Sequence, residues 1–238
     1  MPHAPRQPIF RAPPVVVLLI AFLAAAHVAR VLLPPEQSLA LLVRYALLPA
    51  RYGTSFFAQN AGGLVEAALP FFSYMALHND YTHLLINCLW LLAFGPIVAR
   101  RFGPFLFLLF FLICGVAAAL VHLAFNWGSP EPVIGASGAI SGLMAAGMRL
   151  LPTERPSWAA DGPPADAPML PLWSRQVLFF TLIWCGLNLM VAIAPGVMVG
   201  VAGGGLVAWQ AHLGGYAAGL LLAGSFDALR PQPISGQL

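Results

Sequence analysis

The chain has 238 residues, of which 60% are apolar and only 8% charged, against about 25% charged in an average soluble domain. So few charges leave the surface of a soluble fold this size uncovered, and 23 Gly and 22 Pro without a repeating period exclude fibrous and low-complexity classes. The formal net charge of +3 rests on arginine alone, since the chain has no lysine. The arginines sit mainly in short stretches between apolar runs, where positive charge sets membrane topology and does not imply nucleic acid. These numbers define an all-α polytopic membrane protein whose first partner is the lipid bilayer.

A membrane-spanning helix needs about 20 predominantly apolar residues. The first such run, 15–33, follows Arg6 and Arg11 and superficially resembles a signal peptide. It is too long for that and lacks a small-residue cleavage site, so it is expected to be the first span. A long mixed stretch, 34–81, carries Glu36, Arg44, Arg51 and Glu66, and its piece 38–50 is amphipathic enough to lie in the interface. The second span is expected at 83–99, closed by Arg100 and Arg101, and the third at 104–126. The fourth, 134–151, is rich in Gly, Ala and Ser. A Pro-rich polar loop, 152–172, precedes the fifth at 173–194, and the sixth follows at 205–226. Residues 1–238 thus read as one domain, a six-helix transmembrane bundle.

With the N-terminus inside, Arg6, Arg11, Arg100, Arg101, Arg149, Arg155, Arg175 and Arg230 fall on the inner side, and only Arg30, Arg44 and Arg51 outside. That bias predicts both termini inside. The second, fourth and sixth spans then run from outside to inside. Each carries polar groups early in its length: His83 and Asn87, Ser137, and His212. Polar residues inside a membrane are costly and call for a reason. A hydroxyl, an imidazole and further hydrogen-bond donors in one outer-half layer are the inventory of nucleophilic acyl transfer.

Ser137 lies in Gly135-Ala136-Ser137-Gly138. Such a stretch serves either helix packing or a nucleophile whose neighbouring glycines clear room for substrate. Position 139 is Ala139, so the strand–turn–helix elbow of soluble serine hydrolases does not fit. His212 lies in Ala211-His212-Leu213-Gly214-Gly215-Tyr216-Ala217-Ala218-Gly219. A lone membrane histidine commonly makes an interhelical hydrogen bond. However, Gly215 and Gly219 offer close approach to a small face of Gly138, Gly142 and Ala146, and a direct Ser–His bond needs that approach.

Together, Gly-Ala-Ser-Gly, Ala-His-Leu-Gly-Gly-xxx-Gly and His83-xxx-Asn87 resemble the rhomboid family of intramembrane serine proteases, over nearly the whole chain. The resemblance implies Ser137 as nucleophile and His212 as general base and acid, a dyad without an Asp. It also implies an oxyanion hole from His83, Asn87 and the Ser137 amide. It implies lateral substrate entry between the second and fifth spans, and cleavage of single-span membrane proteins near the outer face. Three positions depart from the family pattern. Leu69-Pro70 stand where many members have Trp-Arg, Ser141 where an aromatic often supports the catalytic His, and Ala99 where an acidic residue is frequent. The first two bear on how the long outer loop is anchored and how His212, lacking a third residue, is held.

Other candidates are weaker. His78 with Asp80 offers two metal ligands without a third, so no metal is expected, and no cofactor. His27 and His122 read as packing or interface residues, and Asn188 as an interhelical hydrogen bond. Trp90, Trp173, Trp184 and Trp209 read as packing or interface anchors. Cys88, Cys114 and Cys185 read as apolar fillers. The expectation is an intramembrane serine endopeptidase of a bacterial-type inner membrane. The alternative is a catalytically silent relative that retains transmembrane clients, which retention of both Ser137 and His212 disfavours. A transporter would show midplane charges or repeated halves, and neither is present.

Overall fold

The protein is described by a computed structural model covering residues 12–53, 63–151, 168–194 and 207–230. Arg6, Arg11, Arg155, residues 152–167 of the expected Pro-rich loop and residues 205–206 of the sixth expected span lie outside the described residues. The described residues form α1 (Pro14–Val31), α2 (Pro35–Tyr45), α3 (Gly63–Ala68), α4 (Pro70–Ser73), α5 (Tyr81–Phe125), α6 (Ser137–Leu150), α7 (Arg175–Ile193) and α8 (Trp209–Leu229). Short 3₁₀ turns occupy Pro49–Tyr52 and Tyr74–Ala76.

Among the described residues, α1, α5 and α7 are long and apolar enough to cross a membrane. The second and third expected spans are two arms of α5, which breaks at Gly103 (φ 78°, ψ 167°). The break has a local cause. Pro104 has no N–H and disfavours helical backbone in the residue before it, and only glycine takes the positive φ without steric cost. Leu18, Phe22, Phe105, Phe179, Leu182, Leu187 and Leu221 are exposed on the outer helix faces. Exposed bulky side chains in such number fit lipid as the surrounding solvent.

Helix α6 is the centre of the bundle. Its buried residues are Gly138 through Gly147 without interruption, and Leu150. At about 1.5 Å per residue, its 14 residues are shorter than a hydrocarbon core about 30 Å thick. It is enclosed by both arms of α5 and by α8, and its first residue is Ser137. Contact with α8 is backbone to backbone: Gly215 rests on the Gly138 carbonyl and Gly219 on that of Gly142. The expected small-residue seam is therefore realised. Lipid supplies no hydrophobic drive to hold helices together, so this close packing provides the attraction.

The described parts of the long first loop are tied down without the Trp-Arg pair of the family pattern. Arg30 of α1 reaches across to the carbonyls of His78 (2.7 Å) and Asn79 (3.1 Å) and to Ser38 Oγ (3.1 Å). Leu47 and Val133 exchange backbone hydrogen bonds (3.1 and 2.8 Å), and Ser73 Oγ donates to the Tyr45 carbonyl at 2.7 Å. At the opposite end of the bundle, Arg101 pairs with Asp227 of α8 through two contacts, one of 2.8 Å. Arg149 closes the same end by donating to the Leu170 and Leu220 carbonyls.

Candidate active site

Three first turns converge: His83 is the third residue of α5, Ser137 the first of α6 and His212 the fourth of α8. Of the side chains expected to share a layer, His83, Ser137 and His212 thus stand in first turns, and Asn87 follows one turn along α5. Each has a local reason for its place. Asp80 caps α5 by accepting the His83 amide at 2.9 Å, fixing where that helix begins. Gly135 turns the chain into α6 at φ 116°, with its amide on the Tyr74 carbonyl at 2.9 Å. The His83 imidazole Nε2 occupies the space a β-carbon on Gly135 would need, so a side chain there would collide with it. Tyr74 is itself held by its hydroxyl on the Gly115 carbonyl at 2.8 Å.

His212 Nε2 lies 2.8 Å from Ser137 Oγ. Both side chains are half-buried, so the pair is sheltered yet reachable. His212 Nδ1 lies 3.0 Å from Asn188 Oδ1 on α7, and the Trp184 ring lies beside the imidazole with centroids 6.0 Å apart. These two contacts correct the expectation that His212 has no third residue to hold it. Ser141 takes no part in that support. Its hydroxyl donates to the Ser137 carbonyl at 2.8 Å, within its own helix.

His83 Nδ1 faces the Asn79 amide at 3.4 Å, which leaves Nε2 to carry the proton and donate. Asn87 is buried, and its Nδ2 donates one hydrogen to the His83 carbonyl at 2.9 Å, leaving its second N–H. The first amides of α6, that of Ser137 among them, have no acceptor within the helix. The arrangement therefore sets a hydroxyl against an imidazole nitrogen, with the His83 imidazole packed on the turn that leads into Ser137.

Beyond this constellation, His78 is fully buried, edge-on to His27 and His83. Burial first, and then the neighbouring His83 and His27, push it down to about 3, so it is neutral at physiological pH. Among the described residues no three His, Cys, Asp or Glu side chains converge as metal ligands. His27 packs edge-on against Tyr81, and His122 is buried on α5 beside Asn126. Trp90 stacks on Phe94, whereas Trp173 is exposed. The three cysteines are free.

Residues 66–226, which include His83, Asn87, Ser137 and His212, match the Rhomboid domain family. The chain belongs to the rhomboid family. Curated relatives agree. The rhomboid protease GluP of Bacillus subtilis is 39% identical over 72 residues, covering 30% of this chain and 14% of its own length. The rhomboid protease AarA of Providencia stuartii is 36% identical over 85 residues, 30% of either chain. RHOMBOID-like protein 4 of Arabidopsis thaliana is 30% identical over 146 residues, 61% of this chain and 31% of its own. The chain thus matches less than a third of the length of each of these relatives.

The sequence reading underrates Asn188 and Trp184. Their signal is a polar and an aromatic residue four apart, which share one face of a helix. Nothing in the sequence tells that this face meets His212.

Proposed function

We propose that this rhomboid is an intramembrane serine endopeptidase with Ser137 as nucleophile and His212 as general base and acid. The observation that carries the reading is the 2.8 Å approach of His212 Nε2 to Ser137 Oγ. Ser137 gives its proton to Nε2 as Oγ attacks the scissile carbonyl carbon. The carbonyl oxygen, now negative, lies among the Ser137 amide, His83 Nε2–H and the second Asn87 N–H. These groups donate to charge that develops only in the transition state. Collapse expels the amine, which takes the proton from His212. Water then attacks the acyl-enzyme with His212 again as base, releasing the acid and restoring Ser137.

The substrates of this reading are single-span membrane proteins, cut near the outer face of a bacterial-type inner membrane. The chain crosses six times, with both termini inside. The arginine bias supports that orientation, and the direction of α7 supports the alternation. Its C-terminal half, at Asn188, meets the first turn of α8, so the two helices run oppositely. A fluorophosphonate probe, which reacts with activated serines, tests the reading on the purified full chain. Labelling that disappears in Ser137→Ala is the expected result. A folded protein that stays unlabelled would instead be the silent, client-retaining relative.

A further inference from the structure

The bond between His212 and Asn188 decides which nitrogen of the catalytic histidine carries the proton. Asn188 Nδ2 donates to the Trp184 carbonyl at 2.8 Å. A carbonyl only accepts, so the amide cannot be turned the other way, and Oδ1 is the atom facing His212. That oxygen also only accepts. His212 Nδ1, 3.0 Å away, must therefore carry the hydrogen, and Nε2 is left with its lone pair toward the Ser137 hydroxyl.

Asn188 belongs to the least embedded of the three helices long and apolar enough to cross a membrane. Along α7 only Val177, Asn188 and Val191 are buried. A second polar contact joins α7 to α8: Thr181 Oγ1 lies 2.9 Å from the Tyr216 hydroxyl. Because Thr181 gives its own hydrogen to the Val177 carbonyl at 2.7 Å, Tyr216 is the donor there. Outward displacement of α7 would break both contacts and free the His212 ring to rotate and change tautomer.

We propose that Asn188 is a positioning residue for His212, completing a Ser137–His212–Asn188 hydrogen-bonded chain, and that the seating of α7 on α8 thereby arms the catalytic base. The proposal rests on the protease reading above. Substrate that enters beside α7 meets a base held correctly only once that helix closes again, so chemistry is confined to the closed bundle.

Kinetics of three variants of the full chain in lipid vesicles test it. Asn188→Leu keeps the volume but removes the acceptor, Asn188→Asp keeps an acceptor and adds charge, and Thr181→Val breaks the other α7–α8 bond without touching His212. Among the described residues, His83 on α5 is the ionisable side chain that acts on His212, and Tyr216, one turn along α8, lies beside Cys185 of α7. None is altered in these variants. Asn188→Leu should lower kcat roughly ten- to a hundredfold with KM little changed, less than the ~10⁴ lost on neutralising the carboxylate of a full triad. Asn188→Asp should restore kcat to within a few-fold. It should also move the acid limb of kcat/KM to higher pH, because a carboxylate stabilises the imidazolium and the base is then free only at higher pH. Thr181→Val should leave that limb in place. Parent turnover in Asn188→Leu would overturn the proposal, and so would an Asn188→Asp that neither restores kcat nor shifts the limb. Absence of probe labelling in the parent would instead overturn the protease reading beneath it.

Discussion

Gly215 of α8 rests on the carbonyl of Gly138 in α6, closer than any β-carbon permits. One residue before Gly138 stands Ser137, and three before Gly215 stands His212, so this contact sets the 2.8 Å between their side chains. Gly215→Ala must push the helices apart, and a rigid helix carries the displacement into the site. A misplacement of about 1 Å can cost on the order of 10²-fold in rate. Turnover should fall by about that factor, with a loss of thermal stability typical of overpacking, about 1–3 kcal/mol. Gly219→Ala, one turn farther from the dyad against Gly142, should cost similar stability but less turnover. Gly186→Ala on α7 meets nothing within 4 Å and should change neither.

The proposed dyad predicts non-additive losses. Once the hydroxyl or the imidazole is gone, the other has nothing to act on. Ser137→Ala, His212→Ala and the double variant should show nearly the same residual rate, with thermal unfolding close to the parent. Appreciable turnover by either single variant would exclude the substituted residue from the dyad.

Much of this architecture is legible in the sequence. The spacing of Gly138, Gly142, Gly215 and Gly219 announces the seam between α6 and α8, and that seam brings Ser137 and His212 together as expected. The missing Trp-Arg pair does not announce its substitutes. Arg30 reaches residues 78 and 79 across 48 and 49 positions, and the Leu47–Val133 bridge joins two irregular segments. Neither leaves a periodic trace, because each is a single long-range bond between parts with no repeat. Asn188 reads as an interhelical bond without its partner, since periodicity places a residue on a face but does not say which neighbour that face meets. The turn at Gly103 is visible only as Gly-Pro between two apolar runs, and its arms pack as parts of one broken helix.

The proposed oxyanion donors predict a graded loss. Removing one such donor typically costs about 10²–10³ in turnover. His83→Ala and Asn87→Ala should each lower kcat within that range while KM stays nearly constant, because the charge they serve exists only in the transition state. A raised KM at unchanged kcat would place these side chains in substrate binding.

Asp80 acts on the same donors through the helix cap. Slight desolvation works against its charge, but the His83 and Thr82 amides and the Asn79 side chain hold its carboxyl below the usual carboxylate value. A lowered carboxyl contributes stability that is present above its unfolded value and is lost as pH falls through the folded one. The cap should therefore persist at neutral pH and weaken only in acid. Asp80→Ala should cost about 1 kcal/mol and lower kcat by releasing the first turn that carries His83. Asp80→Asn keeps a capping oxygen and should lose less, with its stability flat through the acid range where the parent declines. Equal stability of all three proteins at neutral pH would show that the cap has no such part.

If Ser137 is the nucleophile proposed above, its burial constrains what it can cut. A substrate segment in the bilayer is helical, since each backbone group must find a partner there, and its carbonyls are then bonded and shielded. Ser137 opens a short helix among Gly135, Ala136 and Gly138 and is only partly exposed, so an intact substrate helix, about 10 Å across with its side chains, cannot present a carbonyl to it. The helix must unwind locally first. Glycine costs a helix about 1 kcal/mol relative to alanine and proline about 3, so spans bearing either near the cut should open more readily. The crowding beside Gly135, where His83 fills the space of a side chain, also favours a small residue just before the scissile bond. Replacing the helix-breaking residues of a cleaved span by Leu should lower the initial rate by about tenfold for each 1.4 kcal/mol of helix stability gained. Peptides already unwound should be cut without that penalty. If the Leu-stabilised and parent spans are cut at equal initial rates, unwinding does not limit the reaction and this basis of selectivity fails.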